Sequence, residues 1–109
     1  MGSEHEAILA ERRLLKERYG ELFDSVTAVL FDADPIGINF GSNTDEYEPE
    51  VGTILPRLQE AYSSNDVARI IHEEFCIWFD KEDVGSQDKY AAIANSVWKL
   101  WYEFNEPPA

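Results

Sequence analysis

With 109 residues, 44% of them hydrophobic, and a formal charge of -13 from 22 acidic against 9 basic side chains, the chain has the size of one domain and enough apolar material for one core. So negative a field repels phosphate backbones and anionic lipid, which argues against nucleic acid and membrane-surface partners and favours a basic protein or a cation. The lone cysteine, Cys76, excludes an intrachain disulfide and a multi-cysteine metal site.

A single thiol suits a reducing compartment, no apolar run has transmembrane length, and the first residues lack a signal-peptide pattern, so cytoplasmic residence is expected. The charge is unevenly spread. Residues 1–18 balance, residues 19–56 carry eight acids and no base, and residues 57–109 carry ten acids against five bases.

Ile8, Leu15, Tyr19, Leu22, Val26, Val29 and Leu30 recur at helical spacing from Ala7 to about Phe31. Gly20 interrupts that pattern, and the reading favours two consecutive helices split there, the second ending before Pro35. Asp34-Pro35-Ile36-Gly37 reads as a turn, because proline presets one backbone angle, glycine permits a positive one and the Asp34 carboxylate can accept hydrogen bonds locally. Ile36 and Ile38 are expected to point inward. Asn39 to Thr44 reads as a mobile link, after which Asp45 or Glu46 would cap a helix starting near Pro49.

In that third helix Val51, Ile54, Leu55, Leu58 and Tyr62 share one face, and Pro56 predicts a kink. The connector Ser63-Ser64-Asn65 offers a cap and Asp66 a first-turn acid for a fourth helix with Val67, Ile70, Ile71, Phe75 and Trp78 as its buried stripe. Residues 80–88 form a polar link in which Ser86 is a candidate cap. The last helix aligns Tyr90, Ile93, Ala94, Val97, Trp98, Trp101 and Phe104, and is expected to be the most buried element. Apart from a brief period-two alternation at Ile36 to Phe40, no strand pattern competes. The expected fold is all-α, a small bundle of four or five helices with one long acidic loop, forming a single domain over residues 1–109 with disordered ends at 1–5 and 106–109.

The loop from Phe31 to Val51 concentrates the oxygen ligands Asp32, Asp34, Asn39 and Asp45, which could hold a divalent cation. It departs from the EF-hand pattern, since Ile36 stands at loop position 5 and Asn43 where the bidentate glutamate is required. An Asp32/Asp34/Asp45 metal site is therefore an alternative, with no cofactor as the main expectation. His72 and Cys76, four apart, could face each other as base and nucleophile, though a thiol among Phe75, Ile77 and Trp78 reads more simply as packing. Adjacent Trp101 and Tyr102 cannot both enter one core, so one could anchor an interface or a self-assembly contact.

The combination Asp34-Pro35-Ile36-Gly37, Asp45-Glu46-Tyr47, Ile54-Leu55-Pro56, Trp78-Phe79 and Ile93-Ala94 with Trp98 resembles a family of short bacterial proteins of unassigned activity, over about Val26 to Phe104. Ala33 stands where many of those proteins place tryptophan. The resemblance implies that Asp34, Pro35, Ile36, Gly37 and Tyr47 form a structural motif, the Tyr47 ring lying over Pro35 and Ile36 with its hydroxyl on a polar group. By analogy it implies a toxin-neutralising immunity protein. The expectation drawn from charge and resemblance together is a non-enzymatic, monomeric or small homo-oligomeric protein that meets a basic partner, such as a toxin, through Asp45, Glu46, Glu48 and Glu50.

Overall fold

The computed structural model of the chain describes residues 10, 13–37 and 47–105, and every regular element among them is helical. In chain order these are α1 (residues 13–19), α2 (Glu21–Ala33), α3 (Glu48–Ile54), a 3-10 segment (Leu55–Glu60), α4 (Ser64–Trp78), a single turn α5 (Lys81–Val84), a second 3-10 segment (Gln87–Tyr90) and α6 (Ala91–Asn105). The fold is all-α. The described residues form six helices where four or five were expected, because residues 80–88, read as a plain link, contain α5 and bury Val84 completely.

Gly20 separates α1 from α2 with φ of 56°, a left-handed conformation that costs glycine nothing and a β-carbon a good deal. Helix α2 stops at Ala33, and Asp34 closes it in the left-handed region (φ 45°, ψ 57°), donating its N–H to the Leu30 carbonyl at 2.8 Å. Pro35 then forbids continuation, and the Gly37 N–H donates back to the Asp34 carbonyl at 3.2 Å. Helix α4 begins on a reciprocal cap. Ser63 Oγ accepts from the Asp66 N–H at 3.3 Å while Asp66 Oδ2 accepts from the Tyr62 N–H at 2.9 Å.

The core is assembled around α4, which packs against α6, α3 and both 3-10 segments, while α2 closes over α6 and α3. Val67, Ile70, Ile71 and Phe75 of α4 are wholly buried, each burial stabilising by roughly 1.5–3 kcal/mol. Phe75 is the aromatic centre. The Tyr47 ring lies parallel to it at 6.1 Å, and Phe79 and Tyr90 meet it edge-on at 5.6 and 5.5 Å. A β-carbon at Gly52 would stand 3.0 Å from Leu15 Cδ1, so the bare glycine lets α1 lie against α3.

Several expectations change. Pro56 does not bend a continuing α-helix; the chain tightens into the 3-10 segment, which leaves Tyr62 89% exposed instead of facing the core. Trp78, placed in the buried stripe of α4, is 45% exposed. The last helix is not the most buried element. Its first half buries Ile93, Ala94 and Val97, but Trp98 and Trp101 are half-buried and Phe104 is exposed, so α4 holds the centre. Ser86 precedes the second 3-10 segment without a side-chain cap bond. The ends called disordered, and Ile38 to Glu46, lie outside the described residues.

Candidate functional site

The Asp34-Pro35-Ile36-Gly37 turn and Tyr47 are brought together although residues 38–46 separate them. Tyr47, wholly buried, donates its hydroxyl proton to Asp34 Oδ1 at 2.8 Å and accepts the Ile36 N–H at 3.2 Å. One phenol thus fixes both a carboxylate and a backbone amide of the turn. Pro35 is buried and Ile36 half-buried, and the Lys89 ammonium donates to the Pro35 carbonyl across a separation of 54 residues.

Lys89 also donates to the Asp83 carbonyl at 3.4 Å, so it ties the turn after α2 to the segment around α5. That segment carries exposed Asp80, Glu82, Asp83 and Asp88 against Lys81 and Lys89. A second acidic stretch therefore borders the first. Sequence reasoning missed this contact, because no pattern in either segment refers to the other.

Among the expected partner-binding residues the placements differ. Glu48 is half-buried in the first turn of α3, and Asp45 and Glu46 lie outside the described residues. Glu50 must be withdrawn from the set of steering charges: it is 4% exposed, its Oε2 has no hydrogen-bond partner among the described residues, and burial pushes its carboxyl above the usual range. Glu21, Asp24 and Asp32 are exposed along α2, with Lys16 only 3.7 Å from Asp24. These carry the solvent-facing charge of the base-free stretch that the structure describes.

For the metal alternative, Asp34 Oδ1 is engaged by Tyr47, Asp32 is exposed, and Asp45 lies outside the described residues. Among the described residues no group of three or more His, Cys, Asp or Glu side chains could hold a metal ion. The His72/Cys76 pair does not have the geometry of a base and its nucleophile. His72 Nε2 lies 2.9 Å from the Gly85 carbonyl, which only accepts, so that nitrogen carries the proton. It is also the nitrogen 3.9 Å from Cys76 Sγ, and a protonated nitrogen cannot take the thiol proton.

Elsewhere, Arg57 is held by three carboxylates: Nη1 donates to Glu74 Oε2 at 2.9 Å, Nη2 to Glu73 Oε1 at 2.7 Å, and Nε lies 3.5 Å from Glu60 Oε2. This fork locks the first 3-10 segment to α4 and holds the Glu73 carboxyl below its ordinary range, first through the hydrogen bond from Arg57. At the end of α4 the Trp78 indole N–H donates to Thr53 Oγ1 at 3.1 Å, and Thr53 Oγ1 donates to the Glu50 carbonyl at 2.9 Å. At the far end of α6, Trp98 lies 6.4 Å from Tyr102, and Phe104 lies 5.9 Å from Trp101 and 6.1 Å from Tyr19. Comparison with protein families, with curated proteins and with solved structures finds no match.

Proposed function

We propose that the protein is a non-enzymatic binding domain that recognises a basic protein partner through its acidic surface, with neutralisation of a basic toxin as the setting that the family resemblance suggests. The observation that carries this reading is the distribution of charge. Residues 19–56 contain eight acids and no base, and Lys89 joins Pro35, within that stretch, to the segment of the exposed acids Asp80, Glu82, Asp83 and Asp88. Carboxylates gathered at one place make the local potential strongly negative, speed encounter with a cation-rich surface and disfavour anionic partners.

The test is recovery of the tagged protein from its native host in low and in high salt, followed by kinetics with the companion identified. A basic companion whose association slows with salt, and slows again when Asp45, Glu46 and Glu48 or Glu82, Asp83 and Asp88 are changed to their amides, is the expected result. Binding that ignores both salt and these substitutions overturns the proposal.

A second reading, self-association through the end of α6, is favoured by the exposure of Tyr102 (64%) and Phe104 (44%) beside half-buried Trp98 and Trp101. Light scattering that finds only monomer at high protein concentration removes it.

A further inference from the structure

The face where α3 meets the end of α4 presents Ile77, 75% exposed, next to Trp78, 45% exposed. An aliphatic and an indole side chain left adjacent in water are unusual beside a core that buries its other large apolar groups at this level of α4. The indole is held in place. Its N–H is fixed on Thr53 Oγ1, whose own proton is committed to the Glu50 carbonyl, so the ring is oriented before anything docks. Such preorganised tryptophans are the typical anchors of protein interfaces, since little side-chain entropy remains to be lost.

The surroundings determine what fits there. Glu73 lies one turn before Ile77 on the same helix, and Asp80 and Glu82, both exposed, follow Trp78 within four residues. Glu73 is itself already paired, with Arg57 at 2.7 Å and Arg69 at 3.4 Å, and Arg57 is shared further with Glu60 and Glu74. The charges left without such a guanidinium pairing are those after Trp78, exposed Asp80, Glu82 and Asp83 against exposed Lys81, which leave this edge net acidic within a chain of net charge -13.

We propose that Ile77 and Trp78 form the apolar anchor of the docking site for the basic partner: a polypeptide segment that lays an aliphatic side chain across this pair and directs neighbouring lysine or arginine toward Asp80, Glu82 and Asp83. The proposal rests on the acidic-surface reading above and adds where affinity, as distinct from steering, resides. An arginine also gains from lying over the indole face.

The test uses the full chain and two synthetic probes, a peptide with leucine and lysine at helical spacing and an oligolysine of equal charge. The readout is the indole N–H resonance of Trp78, assigned by its loss in Trp78→Phe. The expected result is that the leucine-lysine peptide shifts that resonance and binds tighter than oligolysine, and that Ile77→Ser weakens its binding by about tenfold. Because Ile77 is largely in water, that variant keeps the fold, as an unchanged amide spectrum verifies. Salt-sensitive binding of both probes with the Trp78 resonance unmoved, or a loss seen with Tyr102→Ser and not with Ile77→Ser, overturns this site and leaves the acidic-surface reading standing. Absence of any salt-sensitive binding overturns both.

Discussion

The Tyr47 hydroxyl donates to Asp34 Oδ1 at 2.8 Å and accepts the Ile36 N–H at 3.2 Å, so one buried phenol holds the turn that ends α2 against the start of α3. Asp34 is the one non-glycine residue among the described residues with positive φ, and it sits directly before a proline. That conformation is intrinsically unfavourable by roughly 1–3 kcal/mol and persists because the Tyr47 bond and the helix cap over-determine it. Tyr47→Phe keeps the ring against Phe75 but removes the acceptor of the Ile36 amide and the donor to Asp34. It is expected to cost about 1–3 kcal/mol, read as a lower urea midpoint with unchanged helical content.

Arg57 cannot be replaced by another cation without loss. Glu74, whose side chain is only 12% exposed, depends on its Nη1, while Glu73 and Glu60 are bound through the other nitrogens. Arg57→Ala leaves Glu74 nearly buried and unpaired, and is expected to destabilise by about 2 kcal/mol, less than for a fully buried pair because the Glu73 contact is solvated and screened. Arg57→Lys recovers only part, since an ammonium cannot span three carboxylates as a planar fork does. Because the Glu73 carboxyl is depressed in the folded state, the stabilisation is present above the ordinary carboxylate range and disappears as pH falls through the depressed value. Urea midpoints of wild type and Arg57→Ala across the acid range should converge.

Glu50 has the opposite sign. Burial raises its folded-state pKa above the unfolded value, so the folded protein holds the proton more tightly and stability declines as pH rises through that interval. Glu50→Gln removes the charge at similar size. The variant is expected to melt higher than wild type at neutral pH and to lose that advantage in acid, where wild-type Glu50 is itself neutral. A melting-temperature series over pH for both proteins checks this, and a variant less stable at neutral pH contradicts it.

Tyr90 donates to the Val84 carbonyl at 2.6 Å from a wholly buried position, and its hydroxyl is pushed up to about 12, chiefly by burial. Between the ordinary tyrosine value near 10 and that raised value, the unfolded chain ionises while the folded chain does not. Stability due to Tyr90 is therefore complete below about 10 and falls as the solution becomes more alkaline. An absorbance titration should show a late-ionising tyrosine that Tyr90→Phe removes. The same substitution orphans the Val84 carbonyl and should cost about 1 kcal/mol in denaturant unfolding.

What was legible in the chain alone was local. The break at Gly20, the stop before Pro35 and a cap within Ser63-Ser64-Asn65 depend on interactions spanning a few residues, and each is found where the local chemistry places it. Burial was legible only where periodicity and neighbouring elements agree. The stripe of Trp98, Trp101 and Phe104 continues along α6, but periodicity records which face a residue occupies, whereas its cover depends on how far the packed neighbours extend. Glu50 illustrates the converse: its chemistry predicts solvent, yet its register beside Val51 on α3 places it 96% out of water. Only the tertiary structure could decide that Lys89 reaches Pro35, joining two acidic stretches, and that Thr53 orients Trp78 at an open edge. Contacts across 25 and 54 residues arise from the packing of whole helices, and no local spacing encodes them.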